Sequence, residues 1–265
     1  VCGGMYFDGE KWGKGNSDGI FFLKISPTGE QLSFTADDWK DGLAKVVKAG
    51  TSKKAFGGRP KVLFHNIVET PEGKYQIIGE TFRKSLKIVP QQLLSMQKIK
   101  DAITGRYIGN MVEHYAGDYM ATFEILDFII FNYSNDGKIE NLNIIEKEHT
   151  KLNVYQPLSI YGGLRLAIMV KEYGWFDYAF TTKSPSSDKE YIVSAHFVKK
   201  NPHFAITSIG VGEQSDTKEI PIEKKSIKGG GIGIMKSGVE GKFCVYIYDK
   251  KEKNLLLYLE DSTLK

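Results

Sequence analysis

The sequence predicts an all-β protein built from recurring antiparallel hairpins, and three observations carry that expectation. Tyrosine and phenylalanine supply 14 and 15 of the 265 residues, and aromatic side chains fit the pleated, half-buried surface of a sheet. Short apolar runs recur along the whole length, each closed by a polar turn rich in Gly, Pro, Asn or Asp, as strands and their connections do. Three of these strand–turn segments, starting at Gly19, Asp127 and Lys242, align without gaps, so the chain carries an internal repeat.

The opening residues, Val1-Cys2-Gly3-Gly4-Met5-Tyr6-Phe7, read as the middle of a strand, which predicts a natural N-terminus upstream, as in a fragment or a processed chain. The first repeat copy, residues 19–30, runs from an apolar strand into Ser26-Pro27-Thr28-Gly29, with a second strand expected over 31–34. Gly29 and its counterpart Gly137 fall where a hairpin needs a left-handed backbone, which glycine adopts most cheaply. Residues 37–49 place Trp39, Leu43, Val46 and Val47 at helical spacing behind Asp37 and Asp38, with Gly50 as a stop.

Residues 62–82 form a second kind of hairpin around Pro71-Glu72-Gly73. Residues 88–103 start near Pro90, set Leu93, Leu94, Met96, Ile99 and Ile103 towards one helical face, and end at Gly105. These two helices are expected as short insertions, about 36–58 and about 86–106, packed on sheet edges. The second repeat copy passes through Asn135-Asp136-Gly137, the best local hairpin signal in the chain, into a strand at 139–145.

A further hairpin of the second kind is expected from 176–182 and 190–197, joined by a Ser/Pro loop at 183–189. Gly229-Gly230-Gly231-Ile232-Gly233 lacks the Lys-Ser/Thr of a phosphate-binding loop and opens no helix, so it reads as a loop or bulge. The third repeat copy, 242–253, leads to a strand at 254–259, but Glu252 stands where the other copies have glycine. Its turn is expected to differ.

Taken in pairs, hairpins give four-stranded units, which is the blade of a β-propeller. The runs 20–23 and 128–131 are continuously apolar, as strands buried on both faces are. The expected architecture is therefore a single propeller-like domain over 1–265, an array of antiparallel hairpin blades with two helical insertions, with a β-sandwich as the alternative. Irregular strands within 107–125, 155–171 and 204–222, or sequence upstream, would supply the blades that the clear hairpins do not. The segments from Gly73 to Phe82 and from Asp127 to Lys138 resemble blades of uncharacterised, propeller-like proteins exported by bacteria. That resemblance implies a propeller-like fold and an extracytoplasmic location: periplasm, outer-membrane surface or secreted. It brings no functional residues with it.

The formal charge of +4 is spread over lysines interleaved with acids, which argues against a nucleic-acid partner. No run approaches the length of a membrane-spanning helix. Two cysteines, Cys2 and Cys244, make neither a disulfide framework nor a metal motif, although a bridge between them stays open. None of the five histidines has zinc-site spacing, though His196 and His203 would share neighbouring strands if residues 199–202 turn.

His65 and Glu80 lie on facing strands of one hairpin. A turn centred on Glu72 sets His65 opposite Gly79 and Glu80 opposite Phe64, on opposite faces, and a small shift of register would bring the two together. Such a pair is either a buried hydrogen bond that fixes the sheet or part of a site. His114 sits in a polar loop cluster with Glu113, Tyr115 and Asp118, while Trp12 and Trp175 lie in glycine-flanked stretches, as core residues or as stacking platforms for sugars or peptides.

No catalytic residue, metal or cofactor is assigned. The function expected is a non-enzymatic binding or scaffold module for a protein or glycan partner, with His65, Glu80, His114, Trp12 and Trp175 as candidate contacts. The alternatives are a glycan- or peptide-active hydrolase working at the mouth of a propeller, and a structural subunit of an envelope assembly.

Overall fold

The computed structural model describes residues 1–9, 17–40, 42–43, 61–88, 107–108, 119–155, 158–184, 187–198, 201–209, 216–221, 231–236, 239 and 241–261. The chain divides into two compact units, Val1–Phe176 and Asp177–Lys265. Its described elements are almost all antiparallel strands, in four sheets of which none closes. The all-β expectation holds.

In the first unit, β1 (Cys2–Tyr6), β2 (Gly19–Ile25) and β3 (Gln31–Asp38) form a three-stranded meander. A six-stranded sheet follows, built from β4 (Val62–Glu69), β5 (Tyr75–Ile88), β6 (Tyr107–Ile108), β7 (Tyr119–Tyr133), β8 (Ile139–Ile145) and β9 (Thr150–Tyr155). Its order is β4-β5-β7-β9-β6. The long strand β7 borders β9 along Met120–Ile125 and β8 along Phe128–Tyr133. One turn of 3-10 helix at Leu158–Ile160 then precedes an α-helix, α1 (Gly163–Glu172).

In the second unit, β10 (Tyr178–Ser184), β11 (Ser187–Val198), β12 (Asn201–Ile209) and β13 (Thr217–Pro221) form a four-stranded meander. A three-stranded meander of β14 (Gly231–Lys236), β15 (Lys242–Asp249) and β16 (Asn254–Asp261) completes it.

All three repeat copies fold as strand–turn–strand: β2–β3, β7–β8 and β15–β16. The second and fourth residues of each copy are buried: Ile20 and Phe22, Phe128 and Ile130, Phe243 and Val245. The turns follow the sequence as well. Ser26 and Ser134 each close theirs by accepting from the following glycine N–H (3.0 Å) and donating to the residue beyond it (2.8 Å). Thr70-Pro71-Glu72-Gly73 makes the same pair of bonds, so the second kind of hairpin shares the turn of the first.

Gly29, Gly73 and Gly137 all adopt positive φ, whereas in the third copy Glu252 does not and Lys253 takes φ 53° instead. An L-residue in that region costs about 1–2 kcal/mol. Gly137→Ala is therefore expected to destabilise by about that amount, with its Cβ also pressing on Phe22. Lys253→Gly is expected to raise the urea midpoint of the second unit slightly; an unchanged or lower midpoint would refute the strain.

Two apolar cores occupy opposite faces of the six-stranded sheet. One joins Ile20, Phe22, Trp39 and Leu43 to Val62, Tyr75, Ile77, Ile129, Phe131 and Tyr133. The other gathers Leu63, Phe82, Phe123, Ile125, Leu152 and Val154 under Leu166, Ala167 and Val170 of α1. In the second unit, Tyr191, Val193, Phe204 and Ile206 meet Phe243 and Val245.

Several expectations need correction. Residues 155–171, expected as strand, contain α1, which ends where Gly174 turns left-handed (φ 67°) and Trp175 N–H bonds to Val170 O at 3.0 Å. Asp37 and Asp38 close β3 instead of opening a helix, and Ile88 still belongs to β5. Of the first expected insertion, residues 39–40 and 42–43 are described, as a turn that leads into helix at Leu43; the rest of both expected helical insertions lies outside the described residues. Gly231–Gly233 is strand, not loop: Gly233 opposes Tyr246, and a Cβ there would run into the tyrosine ring. The glycine makes room for an aromatic neighbour.

Candidate functional site

Glu80 lies near the middle of β5, where both neighbouring strands break register. Pairing of β4 with β5 starts from the turn as the sequence predicts, Glu69 opposite Tyr75 through Asn66 opposite Ile78. At His65 an extra residue enters, so Phe64 faces Gly79 and Leu63 faces Glu80. On the other side, Glu80 faces Phe128 and Phe82 faces Ile125, leaving Leu126 and Asp127 opposite Thr81 alone. Bulges of this kind re-aim side chains. Here they turn His65 onto Glu80: Nε2 lies 3.0 Å from Oε2.

The second bulge marks the point where β7 exchanges β8 for β9 as its neighbour. The connection between them, Glu146-Lys147-Glu148-His149, crosses there. Lys147 turns inward, with Nζ 3.1 Å from Glu80 Oε1 and 5.2 Å from the centre of the Phe128 ring. His149 Nε2 reaches Asp127 Oδ1 at 3.2 Å. From α1, Lys171 Nζ donates to the Phe64 carbonyl at the first bulge (2.9 Å), and the Phe176 ring stands edge-on to His65 at 5.2 Å.

The His65, Glu80 and Lys147 side chains are 1%, 0% and 8% exposed. Burial holds the His65 imidazole below its usual range and outweighs the opposite pull of Glu80, while Lys171 and Lys147 add to the lowering. Burial and the 3.0 Å approach fit a neutral imidazole lying beside a carboxylate that Lys147 neutralises. The cluster is closed on itself and keeps its charges from water.

A depressed histidine binds its proton more readily unfolded than folded, so stability is full above the unfolded value near about 6.5 and falls as pH drops through that region. Acid unfolding of the wild type is expected to begin there, and His65→Gln to flatten that limb of the stability–pH curve. An unchanged slope in the variant would exclude His65 as its source.

Other charged groups are paired elsewhere on the sheets. Glu124 is held by Arg83 and by Lys151 (3.1 Å), whose attraction overcomes burial and draws its carboxyl below the usual range. In the second unit, the buried Glu190 carboxyl is pushed up by burial despite Lys183 Nζ at 3.4 Å. His203 Nδ1 lies 3.5 Å from Glu219, and its backbone is directly opposite His196. Among the described residues no three His, Cys, Asp or Glu are arranged to hold a metal. Both cysteines are free thiols. No helix among the described residues is long and apolar enough to cross a membrane.

Of the residues singled out from sequence, the structure brings His65 and Glu80 together and packs Trp175 against the core beneath α1. His114 and Trp12 lie outside the described residues. Lys147 escaped notice because its charged tetrapeptide reads as a solvated loop.

A family model described as a family of unknown function, DUF6770, matches residues 1–262. The chain belongs to that family. No curated protein matches its sequence. Within this DUF6770 chain the Glu80 cluster is the main convergence of acid and base that the described residues show, and its burial makes it an internal strut.

Proposed function

We propose that this DUF6770 chain is a non-enzymatic, extracytoplasmic binding or scaffold module whose meanders are the blades of a propeller-like array. One observation supports binding above the alternatives. The β14–β16 sheet is apolar on both faces: Phe243 and Val245 enter the core, while Met235, Tyr248, Leu255, Leu257 and Leu259 stand exposed on the other side. Contiguous exposed apolar surface of this kind marks a contact site for a partner. The β1–β3 sheet repeats the pattern, with Ile20 and Phe22 inward and Leu32 and Phe34 exposed. Sheets with two apolar faces suit blades stacked between neighbours. The buried Glu80 cluster fits a strut better than a hydrolase centre. The extracytoplasmic location rests on the resemblance of the hairpins to exported proteins.

The chain should be screened against a glycan array and an envelope-protein extract, with parallel assays for glycan and peptide hydrolysis. Retention of a ligand that Leu255→Lys abolishes, without turnover, is the expected result. Turnover of a glycan or peptide with no retained partner would sink the reading.

A further inference from the structure

Strand β16 is the outer strand of its sheet among the described residues. Its eight residues pair with β15 without a register break and include no lysine or proline. Leu255, Leu256, Leu257 and Leu259 are 58%, 50%, 55% and 55% exposed, so both faces of the strand are apolar and open. Four other outer strands are blunted. A register break interrupts the pairing of β3 and of β4, β13 carries Lys218 and Pro221, and β1 carries Gly3-Gly4. A long, regular, apolar edge is a template for another strand.

Resting on the binding reading above, we propose that β16 pairs antiparallel with β16 of a second copy of this chain, about a two-fold axis at Leu257. The charges favour that register. With Leu257 opposite itself, Leu255 faces Leu259, Leu256 faces Tyr258 and Asn254 faces Glu260. Lys253, at the mouth of the strand, meets Asp261 at both ends of the joint ribbon. Asp261 already lies 3.3 Å from Lys242 on β15, so the partner's lysine would join an existing pair. A slip of one residue in one direction loses the end pairs, and a slip in the other brings Glu252 towards Asp261. Such an interface is self-complementary, as a two-fold dimer requires, and it joins two three-stranded sheets into one of six.

Sedimentation equilibrium of the full chain over a range of concentrations tests this. The wild type is expected to be dimeric. Leu257→Lys, which sets two lysines on the axis, is expected to be monomeric with an unchanged far-UV spectrum. Asp261→Lys should weaken the dimer several-fold, and adding Lys253→Asp should restore it. In a Cys2→Ser, Cys244→Ala background, Leu257→Cys should cross-link to itself on oxidation while Leu255→Cys should not. A wild type that stays monomeric, or a dimer indifferent to Leu257→Lys, would overturn the proposal. A monomer that still retains a glycan or protein ligand would sink this inference and leave the binding reading standing.

Discussion

Lys147→Met is expected to destabilise the first unit by about 3–5 kcal/mol, among the largest single effects in the protein. The variant removes the cation 3.1 Å from a carboxylate that has no exposure of its own. Glu80 would then hold its charge in the core beside a neutral imidazole, or take up a proton. Glu80→Gln is expected to cost a comparable amount, because it strands Lys147 instead. The double variant should cost less than the sum, since removing both charges leaves neither one uncompensated. Urea unfolding of the four proteins measures the coupling directly. Strict additivity would mean that the two groups do not depend on each other, and the cluster would lose its standing as a strut. A second readout is the pH at which Lys147→Met unfolds: protonating Glu80 relieves the stranded charge, so its deficit should shrink on acidification.

Much of the architecture follows from local chemistry. The Ser-Pro-Thr-Gly and Ser-Asn-Asp-Gly turns identify themselves because only glycine takes the required backbone cheaply, and Glu252 at the same place announced a different turn. Pairing of β4 with β5 was legible as far as Asn66, because a tight turn dictates register near itself. Beyond that the bulge at His65 decides, and a bulge answers to neighbours distant in sequence. The inward reach of Lys147 was hidden for the same reason: it depends on β7 exchanging one partner strand for another.

Helix α1 was missed although its signals were present. Leu166, Ala167 and Val170 share one face and Gly174 stops the chain, but the apolar run around them also suits a buried strand. The glycine run at 229–233 misled in the other direction. Gly233 is a strand residue kept small by the Tyr246 ring, a reason that only the pairing of β14 with β15 reveals.

Adjacent residues on β7 offer the sharpest test of the two-sided sheet. Successive side chains on a strand point to opposite faces. In a sheet with one wet face, truncating neighbours should therefore give one large effect and one small. Ile130 and Phe131 are both fully buried, and Phe131 belongs to the core shared with β2, in edge contact with Phe64 at 5.7 Å and tilted against Trp39 at 6.1 Å. Phe131→Ala is expected to cost about 3–5 kcal/mol and Ile130→Ala about 2–5 kcal/mol, each by lost burial plus the cavity left behind. Phe34→Ala, at a side chain 54% exposed on β3, is expected to stay within about 0.5 kcal/mol. A near-neutral Ile130→Ala would mean that its face of the sheet is wet in solution, and the case for strands stacked between apolar neighbours would fall with it.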